Sequence, residues 1–214
     1  MTTIRTAAAR AVALVAVATL AACAPKAPPL VGTVAPAGIP ATRLPPVHRK
    51  LVFLWSYADQ NFRAKGEGAA RVAPPDSVRI DLFVGGGYGS GSAVLVDDRL
   101  ETRGDERMHA YLPPVPFLWA ALGRFTVPPA ADTAARVDGD TLRVEIGRDP
   151  AWRATFADDE LRRIELIDGG RIQQCVSRDP AGHVHYEHER ARRTLELTVT
   201  RVDTVPAFDA AIWR

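Results

Sequence analysis

The chain has 214 residues, of which 47% are hydrophobic, 24% charged and 7% aromatic, with a formal net charge of +2; that balance excludes a disordered or fibrous protein and describes one ordinary globular core. Two cysteines, Cys23 and Cys175, exclude a disulfide-stapled scaffold and a four-cysteine zinc site. Among the basic residues only Lys26, Lys50 and Lys65 are lysines, a bias that reflects genome base composition rather than a nucleic-acid patch.

In chain order, Arg5 and Arg10 precede an apolar stretch over residues 11–22. It has the length of a secretory signal core and is too short to span a bilayer. The stretch closes on Leu20-Ala21-Ala22-Cys23, which resembles the lipobox of bacterial lipoproteins. The resemblance implies a signal peptide over residues 1–22, cleavage before Cys23, and a diacylglycerol thioether on Cys23 whose acyl chains, palmitate among them, anchor the protein to a membrane. The plainer alternative is an ordinary signal peptide with an incidental cysteine. Cleavage would remove two arginines and no acid, leaving 25 basic against 25 acidic side chains, with no strong field for nucleic acid. The residue after Cys23 is Ala24 rather than Asp, the pattern associated in diderm bacteria with outer-membrane delivery.

Residues 23–47 carry seven prolines, from Pro25 to Pro46, among small side chains. This predicts an extended spacer that would hold a domain roughly tens of ångströms off the membrane. The domain itself is expected over 48–214. Leu51, Leu54, Trp55 and Ala58 fall at helical spacing and predict a short amphipathic helix over 48–58. Beyond it the period changes to two: Val78, Ile80, Leu82 and Val84 alternate with more polar neighbours, predicting a strand with one buried face. The Gly-rich run 85–92 then reads as a hairpin connection to a strand at 93–96.

A further apolar segment, 117–123, is entered through Pro113-Pro114-Val115-Pro116 and left through Gly123, which predicts a short helix. Because it is apolar on every side it must be buried, and within a curved sheet the place for it is the concave face. Strands are predicted at 141–148, 152–157, 161–167, 171–177, 183–189 and 195–202, joined by turns rich in Asp, Gly and Pro. Such short connections force antiparallel pairing and exclude a doubly wound fold. A second short helix is predicted over 208–213. The fold class expected is mainly β with a few helices: a curved antiparallel sheet forming a half-open β-barrel closed by short helices.

The lipobox, the Pro/Ala segment, Trp55, Gly66-x-Gly68, the strand from Pro75-Asp76 to Phe83 with its Gly-rich hairpin, and the apolar segment after it together resemble the LolA/LolB-type lipoprotein-carrier superfamily over roughly residues 51–201. The resemblance implies a half-open barrel with an apolar cavity for acyl chains. Val78, Ile80, Leu82 and Leu95 are the candidates for the cavity wall, and Phe117, Leu118, Trp119 and Leu122 for a helical plug. The alternative is that all eight form a dry core.

Enzymatic signals are weak. The Gly-rich run contains no dinucleotide fingerprint in register, and no phosphate loop or nucleophile elbow occurs. His183 and His185 share a strand face, whereas His188 falls on the opposite one, so the cluster reads as polar surface before it reads as a metal site. Cys175 reads as a core residue. The sequence therefore predicts a non-enzymatic, outer-membrane-anchored lipoprotein facing the periplasm, without cofactor or metal, that binds a lipid or lipoprotein acyl chain for carriage or insertion. Two alternatives remain: a scaffold lipoprotein that docks an envelope protein by strand addition, and a metal-binding protein using His183 and His185.

Overall fold

The computed structural model describes residues 24–36, 38–87, 89–104 and 111–213; the expected signal segment 1–22 and Cys23 lie outside the described residues. The strands are β1 (Thr33–Val34), β2 (Arg49–Ala58), β3 (Arg63–Ala73), β4 (Ser77–Val84), β5 (Ser90–Val96), β6 (Arg99–Gly104), β7 (Ala134–Asp138), β8 (Thr141–Ile146), β9 (Ala151–Ala157), β10 (Glu160–Asp168), β11 (Arg171–Arg178), β12 (His183–His188) and β13 (Arg193–Thr204). A helix, α1 (Val115–Ala121), lies between β6 and β7.

All the strands join one antiparallel sheet in the order β1-β7-β8-β9-β10-β11-β12-β13-β2-β3-β4-β5-β6. Two meanders, β2 to β6 and β7 to β13, are fused where β13 pairs with β2 from Thr194↔Ala58 to Thr204↔Arg49. The sheet stays open, with β1 and β6 at its edges. Strands twist as they pair, so a sheet this wide curls, and the apolar parity of each strand faces the hollow.

The helix expected over 48–58 is instead strand β2. Helical spacing and alternation coexist here: Phe53, Trp55 and Tyr57 are buried on one parity, while Leu54, which a helix would have buried, is 51% exposed. Aromatic and branched side chains favour the strand, and backbone pairing to β13 on one side and β3 on the other settles it. Strand β3 carries little sequence signal because it uses Gly66, Gly68, Ala69 and Ala70. Those small residues have a reason. Gly66 pairs across from Trp55 and Gly68 from Phe53, and a Cβ on Gly68 would collide with the Phe53 ring.

Helix α1 enters the hollow with proline in its first turn and stops at Gly123, whose φ is +86°. The Gly123 N–H donates to the Ala120 carbonyl and the Arg124 N–H to the Trp119 carbonyl, both at 2.9 Å, capping the last turn. The helix expected over 208–213 is a single 3-10 turn, Ala210–Trp213, against β4, where the Arg79 guanidinium donates to the Ile212 carbonyl at 3.2 Å.

Much of the segment expected to be a free spacer is fastened to the sheet. The Ile172 N–H donates to the Pro25 carbonyl and the Ala27 N–H to the Gly170 carbonyl, both at 3.0 Å. Farther along, β1 pairs with β7, and Leu44 joins the main core at 5% exposure. Proline removes donors but leaves carbonyls free to accept, so a Pro-rich strip can still dock along a sheet.

Candidate functional site

The hollow contains an apolar cavity of about 90 Å³ under α1. Its wall comes from alternate residues of neighbouring strands: Val78, Ile80 and Leu82 of β4, Leu95 of β5, Phe53 of β2 and Leu195 and Leu197 of β13. Leu118, Ala121 and Leu122 cover it from the helix side. The register explains the free space. Ile80 is flanked by Ala70 and Ala93, and Leu82 by Gly68 and Gly91, so bulky residues on β4 have small ones on both sides.

Among the described lining residues Tyr186 alone has a polar side-chain atom, and its hydroxyl donates to Gln174 Oε1 at 2.9 Å. Burial pushes the Tyr186 phenol up to about 12. A water needs about 10–15 Å³ and several polar partners. This space has room for more than one, and its single lining hydroxyl already donates to Gln174, so hydrocarbon is the occupant its chemistry favours.

Six of the eight candidates meet at this cavity: Val78, Ile80, Leu82, Leu95, Leu118 and Leu122. Phe117 and Trp119 do not line it. Phe117 is fully buried, with its ring 5.3 Å from Trp152 and 5.7 Å from Tyr186. The Trp119 indole N–H donates to the Asp97 carbonyl at 2.7 Å, and the Arg124 guanidinium lies 4.5 Å from the ring centre. These two side chains hold the helix in place, and Leu118 and Leu122 present its cavity face.

A wider and more open recess of about 690 Å³ lies where β2, β3 and β13 meet the β2–β3 turn. Tyr57, Phe62 and Tyr111 line it, with Arg63 and Lys65 at the rim. The Tyr111 ring is 4.8 Å from Tyr57 and stacks on Phe62 at 5.6 Å. The Tyr57 hydroxyl donates to Asp59 Oδ2 at 2.9 Å; burial, reinforced by that carboxylate, pushes its phenol up to about 12. Sequence reasoning missed this aromatic group because Tyr111 comes from a segment far from Tyr57 and Phe62 in the chain, and because residues 48–58 read as a helix.

His183 Nδ1 lies 3.1 Å from Thr198 Oγ1, and His185 Nδ1 is hydrogen-bonded to Glu196. Among the described residues no group of three or more potential metal-ligating side chains is assembled. Cys175 is buried with Ala151, Ile167 and Ile172, and burial pushes its thiol up, which is the chemistry of a core residue rather than a nucleophile.

An open antiparallel sheet curled around a helix, with an apolar cavity beneath that helix, defines a LolA-like fold. Among solved structures the chain is similar to a LolA superfamily protein from Nitrosomonas europaea, with TM-score 0.50 and 8% identity over 82% of this chain and 94% of that one. A domain from Vibrio parahaemolyticus described as outer membrane lipoprotein-sorting aligns with TM-score 0.48 and 6% identity over 78% of this chain and 89% of that one. No family model matches the sequence, and no curated protein does. At these identities the likeness is one of fold.

Proposed function

We propose that this protein binds a lipid or lipoprotein acyl chain in the cavity under α1 and carries or inserts it at the cell envelope, held to the periplasmic face of the outer membrane by acyl chains on Cys23. No bond is made or broken; the ligand partitions in and is handed off. The cavity is the observation that supports this: apolar on all described sides, with Leu118 and Leu122 as its helical cover. Each buried methylene contributes about 0.8 kcal/mol, so even a few enclosed carbons give useful binding. Beside that cavity, β6 has a neighbour on one side only, which supports the second reading, docking of an envelope protein by strand addition.

Lipid extraction and native mass spectrometry of the purified protein separate the two. Co-purifying lipid that is lost in Ala70→Leu, with the fold retained, is the outcome expected of a carrier. A protein that neither retains lipid nor takes up added fatty acid leaves the docking reading in its place.

A further inference from the structure

An antiparallel meander sends alternate turns to opposite ends of its sheet. One end of this sheet holds the β2–β3, β4–β5, β8–β9, β10–β11 and β12–β13 turns, and the other holds β3–β4, β5–β6, β7–β8, β9–β10 and β11–β12. The two ends differ in charge. The second presents exposed Asp97, Asp98, Asp138, Asp140, Asp158 and Asp159 in its turns. At the first, exposed Arg171, Arg190 and Arg192 surround Ala24 together with Glu189, and the carboxylates of Asp59, Asp149 and Asp168 lie farther along the same end, those of Asp59 and Asp149 accepting backbone N–H groups of the turns.

Ala24 is the residue bonded to Cys23, and it is fixed at this basic end. The Arg171 guanidinium donates to the Ala24 carbonyl at 2.6 Å, and the backbone at Lys26 forms an isolated antiparallel β-bridge with that at Arg171. The backbone bonds at Pro25 and Ala27 continue the attachment, and the Arg153 guanidinium completes it by donating to the Pro28 carbonyl at 2.7 Å. The recess lined by Tyr57, Phe62 and Tyr111, with Arg63 and Lys65 at its rim, opens at the same end, because Arg63 pairs with Ala58 beside the β2–β3 turn.

From this placement we infer that the basic end of the sheet lies directly against an anionic lipid surface, stapled there by residues 24–28, so that the aromatic recess faces the bilayer. The inference rests on the lipid anchor proposed for Cys23. Guanidiniums next to an anchor add electrostatic attraction to anionic headgroups, aromatic rings suit the interfacial layer, and the exposed turn aspartates of the second end are carried to the far side, where repulsion from the membrane is least. A protein fastened in this way does not swing on a spacer.

The test uses full-length protein extracted from membranes with its own acyl chains and reconstituted in phosphatidylglycerol–phosphatidylethanolamine vesicles. Fluorophores are placed singly at Gln60→Cys and Asp159→Cys in a Cys175→Ala background, and a headgroup-attached quencher reports proximity. Strong quenching at position 60 and little at 159 is expected, with the difference lost in Ala27→Pro, which removes the N–H bonded to Gly170, and in Arg190→Glu/Arg192→Glu. Unchanged circular dichroism and thermal midpoint establish that these variants fold. Equal quenching at both positions on acylated protein overturns the inference and leaves the carrier proposal standing. Intact mass without an acyl adduct on Cys23 overturns the anchor and the inference together, and a difference undiminished in phosphatidylcholine vesicles overturns the anionic-surface part.

Discussion

The concave face is built twice, once around a filled interior and once around a cavity. Under β8 to β10 the interior is filled: Val144, Ala154 and Ile164 are 0% exposed, and Phe117 enters from α1 at 0% as well. Under β2 to β5 and β13, the same alternation of apolar side chains leaves a void, with Leu51, Ile80, Leu197 and Val199 only partly buried. Both halves are apolar, so hydrophobicity does not separate them. Volume does: in the filled half the rings of Phe117 and Trp152, and of Phe125 and Phe156, pack against one another, whereas beside β4 the small residues Ala70 and Ala93 flank Ile80 and leave space at the cavity. Apolar parity makes a core, and the distribution of side-chain size along that parity decides whether the core closes.

The largest expected effect belongs to the filled half. Phe117→Ala removes a fully buried ring between Trp152 and Tyr186 and should cost about 3–5 kcal/mol in urea denaturation. A loss below about 1 kcal/mol would mean that this half is as loose as the other. Next comes a matched pair of enlargements. Ala154→Leu should cost about 1–3 kcal/mol by overpacking, while Ala70→Leu, which points into free space, should leave stability within about 1 kcal/mol of the parent and abolish lipid uptake. Similar costs at the two sites would erase the distinction drawn here.

Trp119→Phe keeps the packing but removes the donor to Asp97, at an expected cost of about 1 kcal/mol; a smaller thermal midpoint for α1 opening, read by amide exchange over Leu118 to Leu122, would locate the loss. The last effect is confined to alkaline solution. Tyr186 borders both halves, and its phenol is raised from 10.0 to about 12 in the folded state. The folded protein therefore holds the proton after the unfolded chain has released it. Its contribution is fully present below pH 10 and is lost as pH rises toward about 12, and Tyr186→Phe should flatten that decline in denaturation curves.

Several of these features were legible in the sequence. The alternation of Val78, Ile80, Leu82 and Val84, the Asp/Gly turns and the proline-entered, glycine-terminated segment at 115–123 are local signals, and strands, hairpins and α1 follow from them. Val78, Ile80 and Leu82 at the cavity were legible for the same reason, since parity along one strand is a period-two pattern, and Leu118 and Leu122 were legible as part of an apolar helix. Residues 48–58 were not, because Leu51, Leu54 and Trp55 satisfy the helical period as well as Leu51, Phe53 and Trp55 satisfy the strand period. Pairing partners more than a hundred residues away on β13 break that tie. The docking of residues 24–28 was hidden too, because donation from Arg153, Arg171 and Ile172 to the carbonyls of the strip leaves no trace in its composition.

The sequence by itself determined what each short stretch does: where apolar parity begins and stops, which turns reverse the chain, and that a buried helix interrupts the strands. Only the tertiary structure decided that Phe117 and Trp119 grip the sheet while Leu118 and Leu122 cover a cavity, that Tyr57, Phe62 and Tyr111 meet at one end, and that Arg171, Arg190 and Arg192 gather around Ala24 at that same end. The physical reason is range. Periodicity and turn chemistry act over a few residues, whereas free volume, aromatic contact and the sorting of charge depend on registers set between strands far apart in the chain.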